Sequence, residues 1–489
     1  MGLSKFSTIF SPVMNMYTKL GLFIGGKWIY EAEKGENVLN PADESILGWL
    51  PHATKDNLNN ALKSSEIGFD EWKNTNPNKR SRIILKAADI LSERISAISK
   101  VMTLEQGKPL AESVGEINQS IAILKFNGTH AKLIKDELVA DRDNGLKTLI
   151  QPHPLGICLC LTAWNFPIAL VVRKIAPALA AGCSVIIKPS EETPGTAIEV
   201  VKIFQEAGLP KDVINLVFGV PHEISDYLLS RDEVKKLSFT GSVPVGKLLA
   251  KKSAETLKRC TLELGGHSPA IIAEDADIEK TLDVLTGFKF RNAGQVCIAP
   301  SRFYVHEKIY DKVRDGFLSR LKNILLGNGM SEGITMGPLA NFRRIEAMQD
   351  FVDDAVKNGS NIIHGGNRHQ NIGYFWEPTI IENINEGSKI MNQEIFGPIL
   401  PLFKFDDYDD VIDKANSLNY GLASYVYTTS ETLQKKMAKE IIAGGVSINT
   451  ASPLHPDIPY GGIKESGIGY EGGMDAIYSF IHKKNINII

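Results

Sequence analysis

A cysteine and a glutamate, each set among small residues, carry the most visible chemistry of this chain. Cys297 stands in Phe290-Arg291-Asn292-Ala293-Gly294-Gln295-Val296-Cys297-Ile298-Ala299-Pro300, and Glu263 in Leu262-Glu263-Leu264-Gly265-Gly266-His267-Ser268-Pro269. A thiolate attacks a carbonyl carbon, and a carboxylate activates the water that later frees the acid, so the two residue types make an acyl-transfer pair. A cysteine alone reads more readily as a small core hydrophobe. The case for catalysis therefore rests on the segments around it.

Three segments close a strand-like run and open a helical one. Thr162-Ala163-Trp164-Asn165-Phe166-Pro167 follows the run 157–161, Lys188-Pro189-Ser190-Glu191-Glu192-Thr193-Pro194 follows 184–187, and Thr240-Gly241-Ser242-Val243-Pro244 follows 235–239. In an open parallel sheet, ligands sit beyond the carboxyl ends of the strands. Gly241 and Ser242 lead into a helix N-terminus, whose free N–H groups suit a phosphate; a plain strand-to-helix turn is the alternative. Lys188 and Glu191 suit a ribose, because a carboxylate accepts from vicinal hydroxyls; solvated loop charges are the alternative. Asn165 can donate an amide hydrogen bond to an oxyanion or cap a helix. Gly467-Ile468-Gly469-Tyr470-Glu471-Gly472 matches a dinucleotide fingerprint but follows no strand run. Too little chain remains after it for a βαβ unit, so it reads as a loop.

The elements that must position these residues show in the apolar rhythm. Ile83, Ile84, Ala87, Ile90, Leu91, Ile95 and Ile98 recur at helical spacing over about 78–102, and a second helix is expected over about 112–134. Asp143-Asn144-Gly145 between extended arms predicts a β-hairpin over 137–150. From residue 157 short apolar runs (157–161, 184–187, 213–218, 235–239) alternate with helical stretches (167–181, 195–207, 245–254). A second alternating region has strand candidates at 270–272, 303–306, 400–405, 424–427 and 446–449. Such alternation predicts parallel sheets covered by helices, in two α/β domains joined near Glu263.

Size and charge narrow the function. The 489 residues leave room for two or three domains. A net charge of −3 argues against nucleic acid or an anionic membrane as partner, since either calls for a basic surface. No apolar run reaches the ~18 residues of a membrane span. The cysteines Cys158, Cys160, Cys183, Cys260 and Cys297 are sparse and odd in number, which suits reduced thiols in the cytoplasm. With no second cysteine pair and no clustered histidines, no metal site is expected. Residues 1–30 hold no arginine, which a transit peptide wants. Phe6 stands where myristoylation needs Ser or Thr, and Met14 or Met16 could serve as the start.

Taken together, these segments resemble the aldehyde dehydrogenase superfamily over nearly the whole chain, in the family's order and approximate spacing. The resemblance implies an α/β fold with a Rossmann-type NAD(P)-binding domain (1–134 and 152–262), a second α/β catalytic domain (263–463) and a small β oligomerisation flap (135–151 and 464–489). It implies a homodimer or homotetramer. By motif, Cys297 is similar to the family's nucleophile, Glu263 to its general base and Asn165 to its oxyanion donor. Trp164 belongs to the same W-N-F-P segment, at the cofactor. Lys188 and Glu191 match the adenosine-ribose contacts, and Gly241 and Ser242 the pyrophosphate turn. Glu394 and Phe396, in Gln393-Glu394-Ile395-Phe396-Gly397-Pro398, match the nicotinamide-ribose contact and the ring beside it. The cofactor implied is NAD, with NADP possible, and Glu191 favours NAD by repelling a 2′-phosphate.

Within the superfamily the chain looks closest to semialdehyde dehydrogenases acting on succinate semialdehyde or 2-oxoglutarate semialdehyde (2,5-dioxopentanoate). The resemblance places Arg173, Arg291, Lys125 and His455 around the substrate mouth. Arg173 and Arg291 stand where succinate-semialdehyde enzymes hold the substrate carboxylate; a helix-surface salt bridge is the alternative for Arg173. Ser452-Pro453-Leu454-His455 departs from the serine-containing loop of those enzymes, which favours the longer oxo-acid. A broad-specificity enzyme for neutral aldehydes is the alternative. A CoA-acylating enzyme or a non-catalytic relative fits less well, because Cys297 and Glu263 are both present.

Overall fold

The computed structural model describes residues 17–141, 145–451 and 454–489. The expectations for the N-terminal processing signals, for the tip of the 137–150 hairpin and for Ser452-Pro453 lie outside the described residues.

The runs 157–161 and 184–187 are near-continuous apolar stretches, and such strands must be covered on both faces. Ile157–Leu161 and Ser184–Lys188 are accordingly buried along their whole length. They form the middle of an eight-stranded sheet. Across it the strands run Gly467–Ile468, Arg259–Glu263, Val234–Thr240, Ile157–Leu161, Ser184–Lys188, Ile214–Leu216, Leu22–Ile24 and Lys27–Ile29. The inner pairings are parallel, and both edges are antiparallel. Helices Ala169–Ala181, Pro194–Ala207 and Val243–Ala254 make the crossovers. The first ends at Gly182, whose φ of 100° closes the helix in the left-handed region open to glycine.

A second sheet runs Asn361–His364, Thr379–Glu382, Ile399–Phe405, Pro300–His306, Ser268–Ile272, Ala423–Tyr427 and Gly445–Ile448. All its pairings are parallel except that of the first two strands. The link 264–267 joins the strand ending at Glu263 to the one starting at Ser268, so Glu263 sits at the junction of the two sheets. A third, three-stranded sheet pairs Glu137–Asp141 with Lys147–Pro154, and that strand with the C-terminal Ile481–Ile488, all antiparallel.

Two expectations are corrected, and one pair of strands is added. The helix over 78–102 is two helices, Pro77–Glu93 and Ile95–Gln106, parted at Arg94 (φ −106°, ψ 10°). Neither Gly nor Pro marks the break; the Arg94 guanidinium meets Glu206 at 2.5 Å, and the second helix turns to lie against Leu110–His130. The strands Asn361–His364 and Thr379–Glu382 escaped the apolar rhythm; the first is largely unburied and shows no alternation. Finally, Gly467–Ile468 is an edge strand rather than loop, because the backbone beside Arg259–Glu263 offers it unpaired groups. The helix Gly473–Tyr478 then packs on Ala169–Ala181 before the chain reaches the third sheet.

Candidate active site

Cys297 leads into the strand Pro300–His306 and is carried by an unusual turn. Asn292 and Ala293 both take left-handed backbone angles (φ 50° and 51°), a conformation that surrounding contacts must enforce. Those contacts are present. The Asn292 N–H donates to Glu112 at 2.8 Å, Gln106 Nε2 donates to Asn292 Oδ1 at 2.8 Å, and Gln295 Oε1 accepts from the Ala340 N–H at 3.0 Å. Asn165, buried beyond the end of Ile157–Leu161, donates from Nδ2 to the Gln295 carbonyl at 3.1 Å. Its amide therefore sits next to the Cys297 turn, where the oxyanion of a carbonyl attacked by that sulfur would find a donor.

Cys297 opens into a cavity shared with Glu263, Arg173, Arg291, Tyr460 and Phe166. Arg173 lies on the helix Ala169–Ala181. It is 7% exposed, and its Nη2 has no hydrogen-bond partner among the described residues. The Arg291 guanidinium lies 5.2 Å from the centre of the Phe166 ring. Two cations thus border the cavity into which Cys297 opens.

The electrostatics of the pair are set by burial. Neither Glu263 carboxylate oxygen has a hydrogen-bond partner among the described residues. Burial, and then Glu471, push its pKa well above the ordinary value of 4.5, with Lys174 and Arg173 opposing. Glu471 pairs with Lys174 at 2.6 Å in the interior. Burial also pushes the Cys297 thiol up to about 12; Glu394 and Glu263 add to this, and a hydrogen bond from Tyr460 works against it. Tyr460 Oη stands 3.7 Å from Cys297 Sγ.

The strand ends carry a cradle that fits a dinucleotide. A Cβ on Gly241 would stand 2.3 Å from the Phe239 ring, so a larger residue would have to push that ring aside. Ser242 begins Val243–Ala254 without spending its side chain on a cap, and the first turn holds no acid, leaving the helix N–H groups to an anion. The Thr240 hydroxyl has no partner among the described residues. Lys188 pairs with Glu191 at 2.5 Å, and Glu191 Oε1 also accepts from the Gly219 N–H at 3.1 Å. On the opposite wall Glu394 accepts from the Gly266 N–H at 3.1 Å, and burial raises its pKa to about 7. Phe396 (φ 48°) meets Trp164 edge-on, ring centres 5.6 Å apart. Arg344 fixes it by donating to the Ile395 and Phe396 carbonyls at 2.7 and 3.0 Å. These residues would hold the pyrophosphate, the adenosine ribose and the nicotinamide half respectively.

Two expected substrate contacts are not in the cavity. Lys125 is exposed, and Gln119 of the same helix lines the cavity instead. Six residues are one and two-thirds turns, which carries Lys125 to another face. His455 is exposed while its neighbour Leu454 faces inward. Sequence reasoning also passed over Tyr460, and over Phe166 inside the segment Thr162–Pro167. Glu471 hid inside the glycine pattern dismissed as a loop. The buried pair Lys108–Glu116, which holds the Asn165 carbonyl, gave no spacing signal, because Lys108 precedes the helix that bears Glu116.

Comparison with known proteins agrees with this arrangement. The aldehyde dehydrogenase family model matches residues 28–486. The chain is 35% identical to a succinate semialdehyde dehydrogenase of Acinetobacter baylyi over 463 residues, covering 94% of this chain and 96% of that one. It is 34% identical to an NADP+ succinate-semialdehyde dehydrogenase of Escherichia coli over 472 residues, covering 96% and 98%. The solved structure of a betaine aldehyde dehydrogenase from Staphylococcus aureus in complex with NAD+ superposes with a TM-score of 0.94 at 32% identity, covering 97% and 96%. Matched in sequence and in fold along nearly its whole length, the chain belongs to the aldehyde dehydrogenase family and is an NAD(P)-dependent oxidoreductase.

Proposed function

We infer that the protein oxidises an aldehyde bearing a distal carboxylate, of the succinate semialdehyde or 2-oxoglutarate semialdehyde type, to the free acid. The observation that carries this reading is Arg173, buried in the cavity of Cys297 with a guanidinium nitrogen left unpaired among the described residues. A buried, unpaired guanidinium is costly, and a substrate carboxylate would satisfy it. The relatives named for succinate semialdehyde support the same reading. The match to a betaine aldehyde enzyme shows that the fold alone does not choose the substrate's charge.

Cys297 acts as nucleophile. Its thiol proton is released to solvent, its sulfur attacks the carbonyl carbon, and the developing oxyanion is received by Asn165 Nδ2 and the Cys297 N–H. The residues Gly241, Ser242, Glu191 and Glu394 would hold NAD(P), which when bound would supply the hydride acceptor needed to raise the sulfur-bound carbon to the thioester oxidation level. Glu263 takes a proton from water, the hydroxide adds to the thioester, and the acid leaves as Cys297 regains its proton. Arg173 and Arg291 hold the distal carboxylate. The same reading divides the chain into a cofactor domain, a catalytic domain and an oligomerisation flap at the boundaries given above.

Initial rates test this. Succinate and 2-oxoglutarate semialdehydes are compared with butanal and pentanal, without CoA, while the acid formed is measured. Faster oxidation of the anionic aldehydes is expected. Equal rates would confine the protein to general aldehyde oxidation, and turnover only with CoA would reassign the acyl acceptor.

A further inference from the structure

A buried ion pair stands behind the oxyanion donor. Lys108 Nζ and Glu116 Oε2 lie 2.5 Å apart, and both side chains are 1% exposed. Each partner reaches a different part of the site. Lys108 donates a second bond to the Asn165 carbonyl at 2.8 Å, and its ammonium lies 4.3 Å from the centre of the Phe166 ring. Glu116 accepts through Oε1 from the Ile168 and Ala169 N–H groups at 3.0 and 3.1 Å. Those N–H groups open the helix Ala169–Ala181, which carries Arg173.

The pair continues into the turn of the nucleophile. The Lys108 N–H donates to Gln106 Oε1 at 3.0 Å, and Gln106 Nε2 donates to Asn292 Oδ1 at 2.8 Å. Asn292 Nδ2 donates to the Asn165 carbonyl at 2.9 Å. The Asn165 carbonyl is thus clamped between Lys108 and Asn292, while its side-chain amide is held on Gln295. Neither Lys108 nor Glu116 borders the cavity of Cys297, so neither touches substrate.

We propose that Lys108 and Glu116 are positioning residues, whose ion pair sets the oxyanion donor Asn165 and the start of the arginine-bearing helix against the Cys297 turn. This rests on the role of Asn165 in the proposed function. A plain fold-stabilising pair would make the same internal bond but would leave catalysis intact once stability was restored. Replacing a buried ion pair by apolar residues of similar volume is often neutral or stabilising, and that separates the two roles.

The test is the double variant Lys108→Met/Glu116→Leu, with Glu116→Gln as a milder second variant that keeps an oxygen acceptor for Ile168 and Ala169. Thermal midpoint, NAD+ affinity, KM and the pre-steady-state burst of NADH from succinate semialdehyde are measured on the full protein. The double variant is expected to keep its NAD+ affinity while its burst slows at least about tenfold, with kcat falling more than KM changes. Glu116→Gln is expected to recover part of the rate. A folded double variant with an undiminished burst overturns the proposal; so does Glu116→Gln with full activity if the double variant fails to fold. Asn165→Ala is run alongside. An undiminished burst there would remove the oxyanion assignment itself, whereas a slow Asn165→Ala beside a fast double variant would remove only the positioning role.

Discussion

At the scale of single residues, burial biases both the Cys297 thiol and the Glu263 carboxyl towards their protonated forms. Cys297 at about 12 is a thiol at neutral pH, so its thiolate share, and its alkylation by iodoacetamide, should rise about tenfold per pH unit between pH 7 and 9. Tyr460 works against burial at the sulfur, so Tyr460→Phe should slow that alkylation at every pH, by roughly fivefold for a bond of about 1 kcal/mol. Mass spectrometry of the Cys297 peptide reads both, and identical profiles for the two proteins would deny Tyr460 any hold on the sulfur. Glu263 carries a linked prediction. Its folded pKa is raised, so the fold binds a proton that the unfolded chain releases above about pH 4.5. The stabilisation is complete below that pH and is lost as pH rises through the folded pKa. Glu263→Gln should therefore raise the melting temperature more at pH 8 than at pH 5, while turnover after one NADH per site slows because the thioester is no longer hydrolysed. Equal shifts at both pH values, or undiminished steady turnover, would contradict the buried-base account.

At the scale of elements, the turn that carries Glu191 bears on the choice between NAD+ and NADP+. Lys188 and the Gly219 N–H pin Glu191 where an adenosine ribose would lie. A pinned carboxylate accepts from a 2′-hydroxyl and repels a 2′-phosphate, so kcat/KM should favour NAD+ over NADP+, and Glu191→Gln should narrow that preference. A native preference for NADP+ would place Glu191 away from the ribose. This region was legible in the sequence because strands buried on both faces read as unbroken apolar runs, with their turn residues directly behind them. The substrate side was less legible. Whether Lys125 or Gln119 faces the cavity depends on the rotation of a helix, and the apolar pattern gives that rotation only to within a face. Glu471 was invisible for a different reason: its partner Lys174 lies far away in the chain and meets it only after the tail has returned to the first sheet.

At the scale of the whole molecule, the three-stranded sheet stands out for what it leaves uncovered. Leu138, Val139 and Ile488 are each about half exposed, at 54%, 57% and 49%. An apolar face on a sheet of this kind favours association, so Leu138→Asp/Val139→Asp should shift the protein to a smaller species in light scattering; an unchanged mass would place any contact between copies elsewhere. The two large sheets, joined at Glu263, bring Cys297 from one and Arg173 from the crossover helix of the other into a single cavity, and the central claim is that this meeting selects an anionic aldehyde. The ratio of kcat/KM for succinate semialdehyde to that for butanal, in the native protein and in Arg173→Leu, tests it most directly. A charge-assisted arginine–carboxylate contact of about 1.5–3 kcal/mol predicts a native ratio of at least roughly tenfold, most of it erased by the substitution. A native ratio near one, or a ratio that survives Arg173→Leu unchanged, would contradict it.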